Sequence, residues 1–519
     1  MNNRITILAL ISLLAGFTAF GQQAVISVVD GKTGKAVSYA HVSFDPVDDG
    51  EVIKAITNEQ GVVENKASAP STMGISFVGY ETSFTQVEPG KNYTIRLKPT
   101  ILAIDEIVVT AQFTPERADK SIYKVKVINQ QSIQNKAANS LDQLMENELN
   151  IRVSRDGVLG SGMSLNGLSG EHLKFLVDGV PVIGRLNGNI DISQLNVYNI
   201  DHIEFVEGPM SVIYGSNAMA GVVNLITNEN QNYKSYTNLH GYYESVGEYN
   251  FNGTTSLRYN DHIFQLSGGR DFFGGYSETD NGRSKMWKPK RAYFVDGSYI
   301  YDREKLKIKY KTSFYDELLL SKGNLRKPYF ETAFDSYFYT KRFSNKLDAS
   351  IELPASRYLH LLTAYSIFNR ETKNYFVDLT KLEKNLREAD TTRFRSAMFR
   401  GTFSKSNESR FNYQLGIDLN LDYGSGEKID GGSKEIGDYA AFLSIKYKPL
   451  GKLTLQPGIR VIYNTNYDAP LVYSINAKYD FYERLSWRGS FARGFRAPHL
   501  RSFTLTSLML IIKFMAMKT

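Results

Sequence analysis

Cysteine is absent from this 519-residue chain. That excludes a disulfide framework, a thiolate metal site, a cysteine nucleophile and anchoring through a lipidated N-terminal cysteine. Histidine is sparse and scattered, at His41, His172, His202, His240, His262, His360 and His499. No His-Glu-x-x-His pair and no Gly-x-Ser-x-Gly nucleophile elbow occurs. Carboxylate pairs such as Asp48/Asp49 and Asp302/Glu304 have the character of turn residues. Enzymatic chemistry, a metal site and a resident cofactor are therefore not expected. Long apolar runs are missing too. Ile5–Ala19 and Leu505–Met517 both fall short of the roughly 20 residues that a membrane-spanning helix needs. If the mature chain crosses a membrane it does so with strands, because every backbone polar group needs a partner in lipid.

Aromatic residues are plentiful, with 33 Tyr and 30 Phe but 2 Trp. The formal charge of +7 is carried by Lys and Arg interspersed among acidic residues. That pattern suits solvated loops, a polar lumen and lipid headgroups, and does not predict a nucleic-acid partner. The N-terminus reads as an export signal over residues 1–21. Arg4 precedes the apolar stretch, and Ala19-Phe20-Gly21 offers small residues at the cleavage positions.

The most informative stretch is Ile203–Thr227. A β run, Ile203–Val206, leads into a Gly208-Pro209 turn. A tight Tyr214-Gly215-Ser216-Asn217 corner follows, where Gly and Asn supply positive φ. Gly221 then opens an apolar run, Val222–Ile226. This order resembles the C-terminal part of the plug domain of TonB-dependent outer-membrane receptors, in which a small plug sits inside a large transmembrane β-barrel. Leu176–Pro181, turning at Asp178-Gly179, resembles a second plug element. The plug is expected over 112–232. Within it Ser140-Leu141-Asp142-Gln143 has the form of a capping box, with Leu141, Leu144, Met145 and Leu149 on one helical face. Gly157–Gly170 lacks the ending of a phosphate loop and is expected to form turns near the barrel wall. Family members commonly carry an arginine before the glycine in both glycine-flanked plug strands. The matching positions here hold Asn166 and Glu207, so the usual Arg–carboxylate latch to the wall does not carry over.

Ahead of the plug, short β runs separated by turns over 22–100 predict a β-sandwich. Its Ser76–Glu81 stretch looks like the carboxypeptidase-regulatory-like domain that precedes some such receptors. Between sandwich and plug, 101–111 contains Ile104, Asp105, Glu106, Ile107, Val108 and Val109, which resemble the family's energy-coupling box. A β-branched extended segment can add to a partner's sheet through main-chain hydrogen bonds.

From 233 to 500 the chain reads as a partial transmembrane barrel. Phe411, Tyr413, Leu415, Ile417, Leu419, Leu421 and Tyr423 alternate with polar residues, giving one lipid-facing side with aromatic ends. Tyr439–Tyr447 and Leu453–Tyr463 repeat the scheme. Short links near 260, 303, 355, 407 and 450 alternate with long ones over Gly274–Lys290, Glu317–Asp335, Asn369–Thr392 and Gly424–Ile436. About 13 strands are expected, against about 22 in complete plugged transporters. Residues 501–519 lose alternation and read as an aberrant tail, so a C-terminally truncated receptor is expected.

The fold class is thus mainly β: sandwich, small α+β plug, incomplete antiparallel barrel. The resemblance implies an outer-membrane importer, reached after export, in a Gram-negative bacterium. Its partners would be a TonB-type energy-transducing protein, outer-membrane lipid and a scarce small-molecule ligand, a ferric siderophore or similar metal chelate. The alternatives are a surface binding protein without transport, or a receptor left non-functional by truncation.

Overall fold

The computed structural model describes residues 24–46, 52–77, 80, 82–98, 106–168, 170–186, 188–229, 233–278, 282–407, 409–427, 429, 431–482, 485–495 and 506–513. The expected export signal, together with Ile104 and Asp105, lies outside them. The chain divides into two compact units, residues 1–106 and 107–519.

In the first unit β1 (Val25–Asp30), β4 (Val62–Glu64) and β7 (Tyr93–Leu97) form one sheet. A second comprises β2 (His41–Pro46), β3 (Ile53–Ile56), β5 (Ser71–Ser76) and β6 (Ser83–Val87). Alternate residues turn inward, as the two-residue period of a strand requires. Ile26 and Val28 of the first sheet share one core with Val42, Phe44, Met73 and Ile75 of the second. Two sheets closing on one apolar layer make a sandwich.

The second unit begins with β8 (Ile107–Val108), paired with β9 (Glu116–Arg117). Its central sheet has the order β10 (Lys124–Asn129), β15 (Ile200–Glu207), β16 (Gly221–Thr227), β13 (Leu173–Val177) and β14 (Val180–Pro181), with a separate hairpin of β11 (Ile151–Asp156) and β12 (Gly160–Leu165). One face of the central sheet carries Ile203, Phe205, Val223 and Leu225 against Leu141, Leu144 and Met145 of a short helix. Each such fully buried side chain stabilises by about 1.5–3 kcal/mol. The other face carries Val206, Val222 and Leu176 against Ala111, Ile213 and Tyr214.

Two expectations change here. The helix runs only from Leu141 to Met145 and the Ser140 side chain does not cap it; instead the Ser140 hydroxyl bonds Asp142 at 2.5 Å. Leu149 is 85% exposed. Beyond the helix, Glu148 is held by Lys136 at 2.5 Å and Asn150 takes the left-handed conformation (φ 66°). Second, Gly157–Gly170 is not all turn, since Gly160–Leu165 forms a ladder with Ile151–Asp156. The turn at Asp178-Gly179 is as expected, a tight hairpin with both residues at positive φ, 47° and 82°.

Around this plug curves one antiparallel sheet of 14 strands, β17 (Ser235–Glu244) to β30 (Thr506–Lys513), each paired with its sequence neighbour. Along β25 (Phe411–Ser425), Phe411, Leu415, Ile417, Leu419 and Leu421 are exposed while Asn412, Gln414 and Asp418 are buried. Among the described residues no helix is long and apolar enough to cross a membrane. β22 (Thr332–Leu353), β23 (Arg357–Asp378) and β24 (Glu383–Lys405) contain 22, 22 and 23 residues. About 9–11 suffice to span, so these strands continue well beyond the bilayer. Asn369–Thr392, expected as a loop, is therefore mostly ladder with a turn at 379–382. Outside lipid a strand has no apolar face to reveal it, yet the register set within the membrane propagates.

The final strand is a further correction. Thr506–Lys513, expected within an aberrant tail, pairs with β29 (Leu485–Phe495). An unbroken apolar run carries no two-residue period, but backbone pairing to a sheet edge does not need one. Residues 501–505 and 514–519 lie outside the described residues.

Candidate functional site: a clamped coupling segment and the wall that holds the plug

The segment following Glu106 is extended but its edge is not free. Ile107 and Val108 pair with Arg117 and Glu116, while Ile107 and Val109 side chains remain 57% and 42% exposed. The next three backbone N–H groups are captured by plug side chains. Val109 and Thr110 donate to the two carboxylate oxygens of Glu204 at 2.8 and 2.6 Å. Ala111 donates to the Tyr214 hydroxyl at 3.0 Å, and Asn224 Nδ2 donates to Thr110 Oγ1 at 2.9 Å. Glu204 is fully buried. Strand alternation explains its place: Ile203 and Phe205 face the helices, so Glu204 faces the segment. A buried carboxylate requires several partners, and two main-chain donors plus the His202 ring supply them.

His202 lies between Asp201, at 2.6 Å from Nδ1, and Glu204, at 2.9 Å from Nε2. Burial alone would push the imidazole down, but the hydrogen bonds to Asp201 and Glu204 outweigh it and lift it from 6.5 to about 9. This contribution is complete below pH 6.5, declines as the unfolded state loses its proton, and is gone above about 9. The urea midpoint of the chain in detergent is expected to fall over that window. His202→Gln should flatten the fall; equal profiles for both proteins would contradict the role.

Of the expected plug residues, Gly208, Pro209, Tyr214, Gly215, Asn217 and Gly221 lie around the start of β16, whereas Asp178 and Gly179 lie at its far end beside Thr227. Gly208 (φ 104°) and Pro209 turn the chain from β15 into the helix Ser211–Tyr214, which ends at Gly215 (φ 75°) and Asn217 (φ 64°). Gly221 permits a close backbone approach: a Cβ there would lie 2.3 Å from the Val206 carbonyl oxygen. Asp178 accepts from the Thr227 N–H at 2.8 Å.

Asn166 is a turn residue (φ 50°), and Glu207 pairs within the plug with Lys124 at 2.5 Å. The polarity of the plug–wall contact is instead inverted, with the wall supplying the cations. Lys346 and Lys311 lie 3.3 and 3.8 Å from Asp178. Burial raises that carboxyl, but the two ammonium groups and the Thr227 N–H overcome it and hold it well below the usual range. Lys446 grips Glu116 at 2.7 Å, Lys307 grips Glu229 at 2.6 Å, and Arg342 donates to Gln194 Oε1 and the Ile183 carbonyl. Lys478 and Arg488 donate to the Asp119 carbonyl at 2.7 and 3.0 Å. Ser404 donates to the Phe113 carbonyl at 3.1 Å, which sets the start of the plug beside the short turn that follows β24. At the opposite end Arg370, on the extended part of β23, reaches the Val158 carbonyl at 2.8 Å.

A buried ionic cluster completes the contact. Arg400 binds Asp418 through Nε and Nη2 at 2.5 and 3.0 Å, and Arg460 Nη1 binds the same carboxylate at 2.6 Å. A cavity of about 430 Å³ adjoins it, lined among others by Lys174, Tyr214, Gly215, Asp438 and Arg460. Among the described residues no cluster of His, Asp and Glu suits a metal ion. The sequence marked the segment and the turn but not Glu204, Asp418 or Arg460, whose partners lie far away in the chain.

Two family models match, the TonB-dependent Receptor Plug Domain over residues 117–222 and the TonB dependent receptor-like beta-barrel over 223–508. The vitamin B12 transporter BtuB of Vibrio vulnificus (strain CMCP6) is 26% identical over 417 residues, 77% of this chain and 64% of that protein. BtuB of Vibrio cholerae serotype O1 (strain M66-2) is 31% identical over 125 residues, 24% of this chain and 20% of the relative. Among solved structures, the siderophore receptor PirA from Acinetobacter baumannii superposes with a TM-score of 0.61 at 17% identity, covering 76% of this chain and 63% of that one. A mutant of the ferric enterobactin receptor PfeA from Pseudomonas aeruginosa gives 0.59 at 16% identity, covering 76% and 64%. The chain thus spans a little under two thirds of the length of the Vibrio vulnificus relative and of the two solved structures, and the structural likeness shows the fold. The barrel match alone takes in more than half of the chain, which makes this protein a member of the TonB-dependent receptors, outer-membrane β-barrel proteins of Gram-negative bacteria that act as receptors and not as enzymes.

Proposed function

We propose that this chain carries the coupling and plug machinery of an importer, energised by a TonB-type protein and built to take up a scarce metal chelate. The observation that carries this reading is the clamped segment: Ile107–Val108 is an extended strand, the chain turns at Thr110–Ala111, and the backbone donors of Val109, Thr110 and Ala111 are held by Glu204 and Tyr214. Main-chain groups held by side chains can be exchanged for the edge of a partner's sheet without breaking the plug core. In the cycle, a ligand binds outside, the segment leaves Glu204, the partner pairs with Ile104–Val109 and pulls, and the plug rearranges.

A ferric siderophore is the first reading of the ligand, in keeping with the fold shared with siderophore receptors. A corrinoid is the second, favoured by the sequence relatives named vitamin B12 transporters. Ile107→Pro removes one main-chain donor. It is expected to abolish uptake of the radiolabelled ligand while leaving its binding to whole cells unchanged. Unchanged uptake in this variant would end the coupling assignment, and transport of cobalamin but not of iron chelates would select the second ligand.

A further inference from the structure

The coupling segment and the cavity beside the Arg400–Asp418–Arg460 cluster share one residue, Tyr214. Its hydroxyl accepts the Ala111 N–H at 3.0 Å. Its carbonyl accepts from Lys174 Nζ at 2.5 Å, and the Arg400 guanidinium lies 5.1 Å from its ring centroid. Arg400 also donates to the carbonyl of the preceding residue, Ile213, at 3.3 Å. On the other side Lys174, Arg460 and Tyr214 itself line the cavity of about 430 Å³. Arg460 stands so close to the corner that a Cβ on Gly215 would lie 3.2 Å from its Nη2.

Ala111, at the segment end of this chain, is held under strain. It is a non-glycine residue at φ 62°, a conformation that costs on the order of 1 kcal/mol and persists only where the surroundings impose it. The Tyr214 hydrogen bond is one of the constraints that impose it, so losing that bond lets the backbone relax away from the plug. Resting on the coupling role above, we infer that Tyr214 is the positioning residue that ties the state of the cavity to release of the segment. An occupant that draws Lys174 or Arg460 towards itself shifts the atoms that seat the Tyr214 ring and carbonyl. The hydroxyl then moves off Ala111, and the strained turn opens.

The inference separates Tyr214 from its neighbour Tyr123. Both belong to the same apolar cluster, but the Tyr123 hydroxyl accepts from Gln456 and Asn476 of the wall, at 3.2 and 3.4 Å. Because the chain has no cysteine, a single Val108→Cys substitution at a fully buried position gives an opening probe. The rate of maleimide labelling of the full chain in detergent is then measured without any partner or ligand. Tyr214→Phe is expected to speed labelling about tenfold, the scale of one lost hydrogen bond, and Tyr123→Phe to leave it within about twofold. Lys174→Met, which does not touch the segment, should also speed labelling. The inference is overturned if Tyr214→Phe labels no faster than its parent, if Tyr123→Phe matches it, or if Lys174→Met changes nothing. Since no partner is present, failure of the coupling role would show separately: Tyr214→Phe would open the segment while a TonB-type periplasmic domain fails to bind it.

Discussion

Asp418→Ala is expected to destabilise the chain by about 3–5 kcal/mol, the cost of leaving buried charge without its counter-ion. Two guanidinium groups depend on this one carboxylate, Arg400 through two hydrogen bonds and Arg460 through one. Asp418 and Arg460 are almost wholly shielded from solvent, so water cannot replace the lost acceptor. Asp438 is the nearest substitute for Arg460, and at 3.9 Å it is a weak one. The urea midpoint of the folded chain in detergent measures the loss. Asp418→Asn, which keeps an acceptor but not the charge, should fall between. A loss for Asp418→Ala below about 1 kcal/mol, the range of an exposed ion pair, would mean that the cluster is hydrated and does not hold the wall together.

Glu204→Ala is the second large effect, and it is read on release of the segment. Two backbone donors, Val109 and Thr110, lose a carboxylate that accepts both. A hydrogen bond to a charged group contributes about 1.5–3 kcal/mol, so together the two correspond to a hundredfold or more in an opening equilibrium, taking about 1.4 kcal/mol per factor of ten. Hydrogen exchange of these two amides should accelerate by about that factor, while amides of the core strand Val222–Ile226 keep their protection. Glu204→Gln retains one acceptor oxygen and should give a smaller acceleration. If exchange at Val109 and Thr110 is unaltered in Glu204→Ala, the segment is held by its pairing with Glu116–Arg117 alone and the clamp has no role.

These two residues mark how far the sequence can be read. Alternation along Phe411–Tyr423 placed Asp418 on the inner side of a membrane strand, because lipid on one face and protein on the other impose a period of two. It could not name Arg400, which sits directly opposite on the neighbouring strand, nor Arg460, which reaches the same carboxylate from two strands away. The extended character of Ile107 and Val108 was likewise legible. The segment's clamp was not, since Glu204 comes 95 residues after Val109 and a main-chain donor leaves no mark in composition. Charge inversion at Glu207 was visible in the sequence. The lysines and arginines of the wall that grip Asp178, Glu116 and plug carbonyls emerged only once the register of the wall was set. The long hairpin of β23 and β24 escaped notice for a different reason. Beyond the bilayer both of its faces meet water, so Glu371–Arg393 mixes charges with no period to betray a strand.

The central claim is that Ile104–Val109 joins a partner's sheet through its backbone. The most direct test is retention of a TonB-type periplasmic domain by the immobilised full chain and by its Ile107→Pro variant. The wild-type chain is expected to retain the domain, more strongly when Glu204→Gln loosens the clamp, and Ile107→Pro is expected to retain none. Equal retention by wild type and Ile107→Pro would contradict the claim, because an interaction indifferent to a lost main-chain donor is not strand addition.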